Sequence, residues 1–202
     1  MKIIPAAETT CSRGQEHCIL LYSEEKAGFL PNIGYIGEQL DLYLASMNIG
    51  ALWFGIGKTQ VRWDGLQFVI MIAIAKMPED KFRRDMFKSK RKPLEEIWLG
   101  DHLGMANIVR FPPSACNTQP WIVENTDNDL MIYRFKKPGK RGIMPAHKVR
   151  YYNKIDMGIF LFMLETCLEQ NDFSYERTLF PDTTDDSIEK TLIARYSLSN
   201  FH

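Results

Sequence analysis

"RFPPSACNTQPW", residues 110–121, decides how this chain is read. Prolines at 112, 113 and 120 forbid a continuing helix and a central strand, because each fixes φ and lacks a backbone N–H. The segment is therefore a stiff loop. On it stand a hydroxyl, Ser114, and two amides, Asn117 and Gln119, with Trp121 leading into an apolar run. A planar polar ring needs an apolar wall and a few fixed donors and acceptors along its edge, and this loop carries both. The same residues also suit a structural turn with an Asn cap and a core tryptophan. Chemistry alone leaves the two readings open.

The chain around the loop has 202 residues, 45% of them hydrophobic, enough for one sizeable core or two small lobes. Lys+Arg and Asp+Glu are 25 each, so neither nucleic acid nor an anionic membrane is an expected partner. No segment reaches the roughly 20 apolar residues of a membrane helix. Cys11, Cys18, Cys116 and Cys167 show no C-x-x-C spacing and no histidines at metal-ligand intervals. Reduced thiols and a cytoplasmic protein are expected, with no metal. His17, His102, His147 and His202 fall in no catalytic pattern.

Outward from the loop, "WIVEN" and "DLMIYRF" read as a hairpin, "CILLYSEE" and "FVIMIAIA" as buried strands, and "SYERTLF" and "TLIARYSL" as closing strands. "LPNIGYIGEQLDLYLASMNIG" reads as a helix with Asn32 as N-cap, Gly50 beyond its end, and an apolar face of Ile36, Leu40, Tyr43, Leu44 and Met47. A second long helix is expected from Tyr151 to Phe173. At a constant offset of 121 the two helices align Asn32 with Asn153 and Gly37 with Gly158, a weak internal repeat. Asp41 and Asp156 read as caps or solvent-facing acids. "ALWFGIGKT" reads as a glycine-punctuated turn, and the charged passage 78–101 as the boundary between lobes of about 1–100 and 101–202 within a single domain of 1–202.

The loop matches P-S-x-x-N-x-Q-P-W at Pro113, Ser114, Asn117, Gln119, Pro120 and Trp121, and so resembles the signature of the flavin-dependent nitroreductase family. "LASMNIGALWFGIG" is similar to that family's helix–Gly–turn element, and Arg91, Pro93, Leu94, Glu95, Glu96 and Ile97 to its R-x-P-L-E-E-I tail. The Gly-turn and tail precede the loop here, which resembles a divergent bacterial branch whose chain carries two lobes. The resemblance implies an α+β fold, a mixed but mostly antiparallel sheet flanked by helices in two pseudo-symmetric lobes. It implies an FMN-dependent NAD(P)H oxidoreductase reducing nitroaromatics, quinones or similar small-molecule acceptors. The flavin carries the chemistry, so no side chain is assigned as catalytic. The implied cofactor contacts are Pro113, Ser114, Asn117 and Gln119 on the ring, Gly55, Ile56 and Gly57 at its N5 edge, and Arg91 and Lys90 on the phosphate. The chain is expected to be a monomer mimicking a dimer, or a homodimer. The family's R-[RS]-S-x-R segment has no counterpart in residues 1–30, where Arg13 stands alone. The alternative is thus a non-catalytic protein of the same fold with weak or lost flavin binding.

Overall fold

The computed structural model describes residues 1–135, 144–182 and 189–200, and His202 lies outside them. The elements run β1 (Lys2–Pro5), β2 (His17–Ser23), α1 (Phe29–Ser46), β3 (Ile49–Phe54), β4 (Gln67–Lys76), α2 (Leu94–Ile97), β5 (Trp98–Leu99), α3 (Ala106–Val109), β6 (Trp121–Thr126), β7 (Asp129–Phe135), α4 (Ala146–Gln170), β8 (Phe173–Leu179) and β9 (Lys190–Asn200). The strands form two sheets, ordered β1-β2-β4-β3 and β5-β6-β7-β9-β8. Among the described residues only the short β5–β6 pair is parallel. This is the expected α+β architecture.

Strands β2 and β4 read as unbroken apolar runs because both faces of the first sheet are covered. Ile19, Leu21, Ile70 and Ile72 pack toward the helices with Ile33, Ile155 and Ile159. Cys18, Leu20, Tyr22, Met71 and Ala73 fill a separate cluster on the other face. In the second sheet Trp121, Val123, Leu130 and Ile132 pack against Phe160, Leu161 and Leu164 of α4. Trp121 is fully buried, its ring stacked on Phe160 with centroids 5.0 Å apart.

Helices α1 and α4 cross where neither has a side chain. A Cβ on Gly34 would lie 1.9 Å from the Ile155 carbonyl oxygen, and one on Gly158 would lie 1.8 Å from that of Pro31. The contact is reciprocal, and it sets an offset of 124 residues, the separation of the two glycines. That offset carries through the neighbouring elements. Ile49 pairs with Lys76 as Phe173 pairs with Asn200, and Phe54 with Met71 as Thr178 with Arg195. Both helices are followed by a left-handed residue, Asn48 at φ 57° and Asp172 at φ 58°. The repeat aligned in the sequence, Gly37 with Gly158, is one helical turn out of register. The small residue that matters is the one at the crossing.

The apolar face expected on α1 is corrected for the same reason. Leu44 is buried, but Ile36 and Tyr43 are 59% and 61% exposed, and Met47 is exposed too. The face turned to the protein is Leu30, Ile33, Gly34, Gly37, Glu38 and Leu44, and its glycines hide it from a hydropathy count. The helix also begins earlier than Asn32, after Gly28 at φ 77°. "ALWF" is strand β3 rather than a turn, and Gly50 lies inside it.

Glu38 sits on the buried face at 3% exposure with Oε2 unpaired. Burial, aided by Asp41 nearby, pushes its carboxyl up to about 8. Between the unfolded value near 4.5 and that folded value, the native state binds the extra proton. Stability therefore falls as pH rises through this window, by up to about 1.4 kcal/mol per pH unit from this group. Glu38→Gln is expected to flatten that decline, gaining on the wild type at pH 8 relative to pH 5 in urea unfolding. Equal pH slopes for the two proteins would contradict this burial. Gly158→Ala gains about 1 kcal/mol in helix propensity. Against backbone at 1.8 Å the overpacking cost of about 1–3 kcal/mol or more dominates, and a lower urea midpoint is expected. Gly104→Ala, with nothing within 4 Å of the added carbon, is the near-neutral control.

Candidate functional site

Strand β3 delivers Trp53 and then Gly55 to the same cavity that the loop 110–121 reaches with Pro113, Ser114, Ala115 and Cys116. The cavity measures about 320 Å3. Ile70 of β4 and Ile155 and Ile159 of α4 give it an apolar lining, and Tyr152 stands beside Gly55. A Cβ on Gly55 would meet the Tyr152 ring at 2.8 Å, and the Tyr152 hydroxyl donates to the Gly55 carbonyl. Glycine is required there by the aromatic ring across the gap.

The loop holds a shape that an unsupported chain would avoid. Cys116, Asn117 and Gln119 all have left-handed backbones, at φ 52°, 55° and 48°. Each such non-glycine residue costs about 1–2 kcal/mol, so the surroundings must over-determine the conformation. They do so with named bonds. Ser114 Oγ accepts from Gln119 N at 3.0 Å, and the Asp156 carboxylate accepts from Ala115 N at 3.1 and 3.0 Å. Thr118 and Asn153 share a hydrogen bond of 2.8 Å. Gln119 Oε1 accepts from Lys92 N at 2.7 Å, and Asn117 Nδ2 donates to Lys90 O at 3.0 Å. Arg91 donates to Asn117 Oδ1 at 3.1 Å and to Phe111 O at 2.9 Å.

These bonds sort the residues singled out in the sequence. Gly55, Pro113 and Ser114 line the cavity. Asn117, Gln119 and Arg91 do not; the two amide groups and the Arg91 terminal nitrogens staple the basic tail to the loop, while Arg91 Nε is buried without a partner. Lys90 is exposed and contributes its carbonyl. Ile56 is 42% exposed, while Gly57 is buried against Met71 and Phe54, in the cluster on the far face of the first sheet. The motif is thus split between three residues at the cavity and a bracket that aims them.

Asp41 and Asp156, read in the sequence as caps or surface acids, are both cavity residues. Asp41 Oδ2 accepts from Trp53 Nε1 at 2.9 Å. Burial raises both carboxyls above the usual carboxylate range, opposed by the indole bond at Asp41 and the Ala115 bond at Asp156. An aspartate flanked by Ile155 and Met157 in an apolar helix was the available signal for Asp156. Trp53, which walls the cavity, carried no signal separating it from a core residue. No Lys, Arg or His lines the cavity among the described residues. They include no helix long and apolar enough to cross a membrane and no group of three or more side chains placed to hold a metal ion.

Comparison with known proteins agrees with this geometry. A solved structure from Thermotoga maritima, described as "a putative nitroreductase", superposes with a TM-score of 0.58. It is 18% identical, over 90% of this chain and 70% of its own, and so shows the shared fold. None of the curated proteins matches. A protein-family model described as "Putative TM nitroreductase" matches residues 6–167, most of the chain and both elements that line the cavity. The chain belongs to this nitroreductase family.

Proposed function

We propose that the chain is a flavin-dependent oxidoreductase that draws electrons from NAD(P)H and reduces nitroaromatics, quinones or similar small acceptors. The observation supporting it is the one cavity shared by Trp53–Gly55 and Pro113–Cys116, the two elements the family resemblance assigns to a flavin. Bound there, the flavin supplies the redox chemistry. The chain's part is placement. Trp53, Ile70, Ile155 and Ile159 exclude water from a planar ring. The Ser114 oxygen already accepts from Gln119 N, which leaves its proton to donate to a ring carbonyl. The Asp41 and Asp156 carboxyl oxygens suit a ring N–H.

The ring of FMN fits these residues; its phosphate finds no cation among the described residues lining the cavity. That mismatch favours a second reading, a family member in which flavin binding is weak or lost. Titration of the apo-protein with FMN and with riboflavin, followed by flavin fluorescence quenching, separates them. Saturable binding of both is expected, with FMN gaining less than the roughly tenfold or more that a charged phosphate contact confers. Ser114→Ala is expected to weaken both by about 0.5–1.5 kcal/mol. Arg91→Ala frees Phe111 and Asn117 of the loop from the basic tail, so it should weaken both flavins equally. A loss confined to FMN would instead return Arg91 to the phosphate. No quenching by either flavin at high micromolar concentration rejects the oxidoreductase.

A further inference from the structure

The pseudo-twofold axis through Gly34 and Gly158 gives the cavity a partner. A groove of about 450 Å3 opens on the other side of the crossing. Seven of its nine lining residues correspond to residues of the first cavity at the same offset of 124 set by the glycines, whereas the loop Pro113–Cys116 has no counterpart in it. Pro31, Asn32 and Tyr35 stand where Ile155, Asp156 and Ile159 stand in the first, and Glu165 stands for Asp41. Tyr175, Arg177 and Leu179 of β8 replace Ala51, Trp53 and Gly55. Even the central bond is kept. Trp53 Nε1 donates to Asp41 at 2.9 Å, and Arg177 donates to Glu165 at 2.8 Å.

The substitutions cancel the formal negative charge and add a cation. The first cavity presents two carboxyls and, among the described residues, no cation. In the groove, Asn32 removes one acid and Arg177 adds a cation. The remaining acid is consumed: Glu165 is 4% exposed and accepts from Tyr35 Oη and Tyr196 Oη, each at 2.6 Å, as well as from Arg177. Arg177 keeps 37% of its side chain exposed and gives one N–H to Glu165. Tyr35 and Tyr175 supply the aromatic surface.

We propose that this groove is a second small-molecule site, for a planar aromatic carrying one carboxylate that pairs with Arg177. The inference rests on reading the first cavity as a ring site, since the groove is its counterpart. Its test is separate. The probe is 2-naphthoate, with the neutral 2-naphthamide as control, titrated by calorimetry into the full chain with and without excess riboflavin.

Saturable binding of about one 2-naphthoate per chain, undisplaced by riboflavin and about tenfold tighter than the amide, is the expected result. Asn32→Asp transplants the acid of the first cavity to an exposed position in the first turns of α1, where an added negative charge suits the helix dipole and the fold. It should weaken 2-naphthoate about tenfold. Leu179→Trp fills the groove from a half-exposed position and should abolish binding while leaving the Glu165 network intact. Absence of saturable binding, displacement by riboflavin, or indifference to both substitutions overturns the second site. Failure of riboflavin to bind overturns only the oxidoreductase reading, provided 2-naphthoate still responds to Asn32→Asp and Leu179→Trp.

Discussion

The fold is hung on a helix crossing in which Gly34 and Gly158 each face the backbone of the other helix. With Gly34 and Gly158 at the crossing, α1 and α4 approach backbone to backbone, closer than any Cβ permits. Side chains one turn away on either helix cannot enter the crossing, so they splay to its two sides. There they line two openings related by the same pseudo-twofold axis, each closed by a strand that follows its helix after a left-handed residue. The crossing therefore sets where both cavities lie and which residues face them.

One of the two openings carries a concentration of unfavourable terms. Three non-glycine left-handed residues hold the loop, and Asp41 and Asp156 are buried with carboxyls raised by desolvation. Glu38 adds a third raised carboxyl near Asp41. A chain selected for stability alone would replace buried, partly paired acids with apolar residues. Asp41 and Asp156 both line the cavity, beside a loop held by a dense set of hydrogen bonds, and perturbed carboxyls gathered at a cavity are a common mark of a functional site.

The other opening shows how the same helix–strand frame carries different chemistry. A carboxylate still anchors the donor on the neighbouring strand, but the donor is Arg177 in place of Trp53, and a tyrosine pair satisfies the acid. The strand registers match at the offset of 124, and so do the helix C-termini, Ser46 and Gln170. The two sites differ in these side chains and in the loop Pro113–Cys116, which lines the first cavity and has no counterpart in the groove.

The loop, the buried strands and the two long helices were legible in the sequence because proline placement and unbroken apolar runs are local properties. The family signature was legible for the same reason, and so were the three of its residues that reach the cavity, Gly55, Pro113 and Ser114. The roles of Asn117, Gln119 and Arg91 were not. Whether an amide meets a ligand or a neighbouring backbone depends on where residues 90–92 lie, some 27 positions away in the chain. The buried face of α1 was misjudged because the closest contact is made by glycines, which hydropathy scores as nothing. Asp41 and Asp156 became site residues only once the crossing had fixed which way each helix turned. Local patterning determined the elements, and resemblance to a known signature pointed to the family; the approach of two backbones, invisible to any local rule, decided what those elements face.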